Sequence, residues 1–180
     1  MTKGIALSFP AETEIVMETQ KIKWLEEYLD HALEVAWMEG SDRALRLLDR
    51  LLYEEPGYGR LHYVLGVVYY RYADEPVLAE KYFRFAIKFN PELTDAYHLL
   101  VEILRNDERF DEVILVCRQG LKVRKADKAL LLENQGNAWE LKQKYRRAIR
   151  TYRKALRSSA ELWRCRMLEE NIKRCKRKQD

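Results

Sequence analysis

Glycine, proline and cysteine are scarce in this chain. Its 180 residues include 7 Gly, 4 Pro and 3 Cys. An all-β sandwich turns every few residues, and so few glycines and prolines exclude it. The cysteines, Cys117, Cys165 and Cys175, are odd in number and widely spaced, so they suggest neither a disulfide framework nor a zinc site. No apolar run approaches the roughly 20 residues that cross a bilayer. The first ten residues hold one lysine and a short mixed apolar stretch, followed by Glu12, Glu14 and Glu18, which makes a poor secretory signal. These features point to a reducing, cytoplasmic setting without a membrane span. Catalytic motifs are also missing: no GxGxxG, no GxxxxGK followed by Ser or Thr, no GxSxG and no HExxH. None of His31, His62 and His98 falls in a metal-binding motif. The expectation is a non-enzymatic protein with no metal and no cofactor.

Hydrophobic residues make up 47% of the chain and charged residues 34%, enough apolar surface for a core, which excludes a disordered tail. The formal net charge of +4 conceals a division. Residues 1–115 carry 13 basic and 22 acidic side chains, a net charge of −9. Residues 116–180 carry 20 and 7, a net charge of +13. An acidic body is joined to a basic end, which also makes head-to-tail self-association a candidate behaviour.

Helix periodicity runs through the chain. Leu25, Leu29, Ala32, Leu33 and Ala36 recur at steps of three and four, as do Tyr82, Phe83, Ala86 and Ile87. Val113, Val116, Cys117, Gly120 and Leu121 form a third stripe, and no strand alternation is evident. Pro10, Pro56, Pro76 and Pro91 punctuate these stretches, where proline marks breaks or first turns. The helices pair, and the pairs repeat. One pair carries Leu65, Gly66 and Tyr69, then Ala79, Phe83, Ala86 and Pro91. A later pair carries Gly136 and Trp139, then Tyr145, Ala148, Tyr152 and Ala155. This pattern resembles the tetratricopeptide repeat (TPR) family, whose helix–turn–helix unit is about 34 residues long.

The register gives units 25–58, 59–93, 94–128 and 129–162, within a repeat domain spanning 15–162. The first unit has His31 and Leu51 where Leu and Ala are usual, the third has Val101 for the small residue and Lys125 for Pro, and His31 and His62 fall at packing positions of the repeat. Residues 1–14 are assigned as a flexible N-terminal segment; the alternative is that residues 1–18 fold back and fill the groove. Ile15, Val16, Ile22 and Leu25 extend the first helix backward. Ser158-Ser159-Ala160-Glu161 matches a capping box, which predicts a capping helix with a basic tail over 159–178 and an apolar side of Leu162, Met167, Leu168 and Ile172. The implied fold is an all-α, right-handed solenoid of four helix pairs with a C-terminal cap.

The resemblance implies a concave groove lined by the first helix of each unit. Carried over, its positions include Glu26, Leu29, Asp30, Leu33 and Trp37 in unit one, and Arg60, Tyr63, Val67, Tyr70 and Arg71 in unit two. Unit three offers Asp95, His98, Glu102 and Arg105, and unit four Leu130, Glu133, Asn134, Asn137 and Glu140. Aromatics with arginine are a common hot-spot composition, and the second half is largely acidic. A peptide with apolar anchors and a basic or hydrogen-bonding stretch complements this face. The same aromatics could instead pack only against neighbouring helices. Chaperone-binding family members grip a C-terminal carboxylate with lysine and asparagine; Leu29 and Leu33 stand at two of those positions, which argues against that partner class. The function expected is reversible capture of a protein partner. A second candidate is the basic face of Arg146, Arg150, Arg153 and Arg157, flanked by Lys144, Arg147 and Lys154. It suits a solvated outer surface first, an acidic protein second and nucleic acid third, since no aromatics interleave with it.

Overall fold

The computed structural model describes residues 11–179, with side chains from Ile15 onward. Residues 1–10, most of the segment expected to be flexible, lie outside the described residues. Nine α-helices and no strand occur among the described residues: α1 (Ala11–Glu39), α2 (Ser41–Glu54), α3 (Gly59–Arg71), α4 (Pro76–Phe89), α5 (Thr94–Asn106), α6 (Phe110–Gly120), α7 (Lys128–Leu141), α8 (Tyr145–Ser158) and α9 (Leu162–Arg177). They form four antiparallel pairs and a terminal helix, the all-α superhelix that the repeat pattern implies.

The odd-numbered helices form one layer, with α1 packed on α3 and α5 on α7. Each even-numbered helix rests against the odd-numbered helices on either side of it in sequence. Three buried clusters fill the space between the layers and merge at shared residues. Leu33, Tyr63 and Tyr69 join the first two, and Leu121 and Trp139 join the last two. No single pair encloses its own apolar face, so each unit borrows its neighbour's side chains.

Small-against-large packing sets the spacing within pairs. A Cβ added at Gly66 would stand 2.6 Å from the Phe83 ring, and one at Gly136 would stand 2.6 Å from Tyr152. The turns inside the four units share a device. Each contains one residue with positive φ: Gly40 (98°), Asp74 (54°), Glu108 (57°) and Gln143 (57°). Only the first is glycine; the others hold the left-handed conformation at a local cost that the tight helix-to-helix packing offsets.

The ends of the chain depart from the sequence expectations. α1 does run back through Ile22, Val16 and Ile15, but those three side chains are exposed and Leu25 is the first buried one. At 1.5 Å per residue, α2 is about half as long as α1 and covers only its second half. His31, expected at a packing position, is exposed and lies 4.0 Å from Glu34. The capping box does not form. Glu161 is itself the N-cap of α9, its carboxylate pairs with Arg164 at 3.3 Å, and the Ser159 hydroxyl accepts only the Glu161 N–H at 3.3 Å. The helix therefore begins at Leu162. Of its four expected apolar contacts Leu168 and Ile172 are buried, joined by Cys175, while Leu162 and Met167 face solvent. No helix among the described residues is long and apolar enough to cross a membrane.

Candidate functional site

Arg60 organises the first half of the inner face. It opens α3 and reaches across to α1, where its guanidinium meets Glu26 at 2.8 Å and Asp30 at 2.6 Å. The Tyr58 hydroxyl donates to the same Glu26, and burial together with that carboxylate pushes the Tyr58 pKa far up. Two cavities meet at Arg60. One, of about 370 Å³, has Tyr58, Phe89, Asn90 and Leu93 around it. The other, of about 140 Å³, is bounded by Tyr63, Glu92, Leu93, Thr94 and Asp95. Burial raises the Tyr63 pKa and the Asp95 charge adds to the effect, so Tyr63 keeps its hydroxyl proton. Neither Glu92 nor Asp95 has a cationic partner within ion-pair distance among the described residues, so this pocket presents uncompensated negative charge beside an aromatic ring.

Further along, the Tyr70 hydroxyl donates to Glu102 at 3.2 Å, tying α3 to α5. The far end is occupied by the cap. Arg164 of α9, only 12% exposed, lies 3.0 Å from Asp127 and 3.9 Å from Glu133. Burial would raise the Asp127 carboxyl, but the Leu130 N–H and Arg164 outweigh it and hold it below its ordinary value. Glu133 keeps a net upward shift, because burial exceeds the pull of Arg164. His98 sits nearby with a buried, unpartnered Nδ1, and burial lowers its pKa against the opposing charges of Asp95 and Asp127.

The structure thus sorts the sequence-derived groove residues. Leu29 is fully buried and Val67 is 8% exposed; both belong to the core and offer no surface to a partner. Their positions face inward because α1 and α3 pack directly on each other. Leu33 is half-buried between two core clusters. Arg60 and Tyr63 share a cavity, and Tyr70 is within hydrogen-bond reach of Glu102. Trp37 is 75% exposed, and Arg71 and Arg105 are also exposed, with no ion pair for either arginine among the described residues. Asn134 spends its amide on the Leu130 carbonyl, 3.1 Å away, and Asn137 is half-buried. Glu140 is withdrawn from the groove altogether: it is 6% exposed and bonded to Arg174, Lys178 and Tyr152. Arg146, Arg150, Arg153 and Arg157 are all exposed on α8.

Four contributors, Tyr58, Glu92, Leu93 and Arg164, escaped the sequence reading. Tyr58 and Leu93 lie at unit boundaries, outside the helix positions carried over. Arg164 would have been found by extending the repeat register past residue 162, where it falls at the second position of a fifth first helix, equivalent to Arg60. His62 matches its expected packing role. Its Nε2 donates to the Pro56 carbonyl at 2.7 Å, and its ring stacks on Phe89 with centroids 5.0 Å apart. No cluster of metal-binding side chains occurs among the described residues.

No protein-family model matches the chain, and no curated protein matches it by sequence. Solved structures do. A MamA protein superposes with a TM-score of 0.64 at 20% identity, over 74% of this chain and 72% of that one. PilF of Pseudomonas aeruginosa gives 0.64 at 17% identity, over 83% and 75%. The N-terminal domain of stress-induced protein-1 (STI-1) from C. elegans gives 0.57 at 18% identity, over 63% and 93%. At such identities the likeness speaks for architecture alone, and the architecture is that of a TPR-like solenoid.

Proposed function

We propose that the chain is a non-enzymatic interaction module that captures a protein segment on the face of its odd-numbered helices. The observation that carries this reading is the pair of cavities meeting at Arg60. Arg60 is already neutralised by Glu26 and Asp30, whereas Glu92 and Asp95, which line the same pocket, have no ion pair among the described residues. The pocket floor is Leu93 and its wall is Tyr63. A segment with an apolar side chain next to a lysine or arginine would bury the first and pair the second. Leu29 and Leu33 contribute to the core, so this face has no cationic clamp at those positions for a terminal carboxylate.

The test is affinity capture with wild type and with Tyr63→Ala/Asp95→Lys. Tyr63 is half-buried and Asp95 exposed, so circular dichroism should show a folded double variant. Partners retained by wild type and lost by the variant are the expected result. An identical partner list from the folded variant refutes the reading.

A further inference from the structure

A second site lies on the other layer of the solenoid. The sequence pattern draws attention to Arg146, Arg150, Arg153 and Arg157 as one face of α8. The fold selects a different set. Arg147, Arg150 and Lys154 project from the side of α8 that meets α7, and Arg118 approaches from α6 across a cleft of about 460 Å³. Leu121, Leu132 and Trp139 supply its apolar lining, the smaller share of a mainly polar surface. No acidic side chain lines it.

Cations elsewhere in the molecule divide into paired ones and exposed, unpaired ones such as Arg71 and Arg105. Arg84, Arg109, Arg164 and Arg174 each sit against a carboxylate, at distances down to 2.6 Å. Among the described residues none of the four cations at the cleft makes such a pair. Four like charges drawn together without a counterion repel one another, and a bound anion would relieve that repulsion. The cleft also carries a peptide-like hydrogen-bonding group. Gln135 is 8% exposed and lines the cleft, and its amide has no side-chain hydrogen bond among the described residues. A primary amide both donates and accepts, which matches a peptide backbone. The Trp139 ring is already covered by the Arg147 guanidinium, 4.8 Å from its centroid, so that face is not free to stack on a base.

We infer that the α6–α7–α8 cleft is a second binding site, for an acidic peptide segment of a partner protein. Apolar side chains rest on the partly exposed Leu121 and Trp139, flanking carboxylates meet Arg118, Arg147, Arg150 and Lys154, and the Gln135 amide reads the backbone. The site is independent of the pocket at Arg60, which favours the opposite charge and lies on the other layer.

Fluorescence anisotropy on the full chain at low salt tests it. The probe is a labelled octapeptide with two central leucines flanked by glutamates. Its counterparts are the same peptide with lysines for glutamates and an eight-nucleotide single-stranded thymidine oligomer. The acidic peptide should bind and the lysine peptide should not bind at this cleft. Arg150→Glu/Lys154→Glu should weaken binding at least about tenfold, as expected when charges at a contact are reversed. Arg153→Glu/Arg157→Glu makes the same change in net charge away from the cleft and should cost less than about threefold. Tyr63→Ala should leave the affinity unchanged, which separates this site from the one at Arg60. Should the Glu pair disturb folding, Arg150→Gln/Lys154→Gln replaces it. Equal losses from the two α8 double variants would overturn the proposal, as would wild type failing to bind the acidic peptide. Tighter binding of the oligonucleotide than of the peptide would replace it with a nucleic-acid interface.

Discussion

Glu140 is the latch that holds the capping helix, and Glu140→Gln tests how much that latch contributes. The carboxylate, at the end of α7, accepts two bonds from Arg174 at 2.7 and 2.8 Å, one from Lys178 at 3.2 Å and one from Tyr152 at 3.1 Å. The Arg174 bonds, opposed by burial, bring its pKa down to about 2 from an ordinary 4.5. That gap corresponds to about 3 kcal/mol at neutral pH as a ceiling. Arg174 and Lys178 are about half exposed, so solvent screening reduces it to about 2 kcal/mol. The sign follows from a lowered carboxyl pKa: the stabilisation is complete above pH 4.5 and is lost as the pH falls toward 2. Cys175 provides a local assay, because it lies on the inner face of α9 and is fully buried in the wild type. If α9 opens about 2 kcal/mol more easily, a thiol reagent should modify Cys175 about thirtyfold faster at pH 7. Urea unfolding at pH 7 and pH 3 should show the variant's deficit shrinking at the lower pH by roughly half. Equal Cys175 labelling in the two proteins, or a deficit that does not change with pH, would refute the latch.

Three other measurements follow from the packing. Gly66→Ala and Gly136→Ala should each destabilise by about 1–3 kcal/mol, since the new Cβ overlaps an aromatic ring, although alanine favours an isolated helix; Gly57→Ala, with nothing within 4 Å, is the control. Native wild type at pH 8 should show one quickly titrated thiol, Cys165. Burial pushes Cys117 up to about 12, and burial with the Glu140 contact pushes Cys175 up to about 12. Burial lowers the His62 pKa against the pull of the Pro56 carbonyl, so its stability contribution is complete above pH 6.5 and falls as the pH drops below that value. The urea midpoint should decline between pH 7.5 and 5.5, and His62→Phe, which keeps the aromatic stack, should flatten that decline.

What the sequence could disclose was governed by locality. Gly66 with Phe83 and Gly136 with Tyr152 lie 16 or 17 positions apart within one unit, so their pairing is written in the repeat and the helical hairpins were legible. Glu140 with Arg174 joins a unit to the cap through residues that carry no repeat signature, and Asp127 with Arg164 is suggested only if the register is run past residue 162. The capping box failed for a related reason: Glu161 found Arg164 one turn on, and the helix started from Glu161 instead of Ser158. Leu29 and Val67 show the limit of carrying positions across. A repeat position fixes the direction of a side chain, and the closeness of α1 to α3 decides whether anything beyond that helix can reach it.

The charge division acquires a different meaning once the layers are known. The net charge of −9 over residues 1–115 suggests an acidic half and a basic half along the chain. The structure adds a division across it. On the odd-numbered layer, Arg60 and Arg164 are consumed by carboxylates, and Glu92 and Asp95 remain unpaired. At the α6–α8 cleft, Arg118, Arg147, Arg150 and Lys154 remain unpaired among the described residues. Ion pairs have cancelled many of the charges that hold the fold together, and what survives at these two places is opposite in sign. Long-range attraction falls off within about 8–10 Å at physiological salt, so a partner at one layer senses that layer's residual charge and little of the chain's total. On the two proposals above, a basic segment at the Arg60 pocket and an acidic one at the α6–α8 cleft would bind without competing.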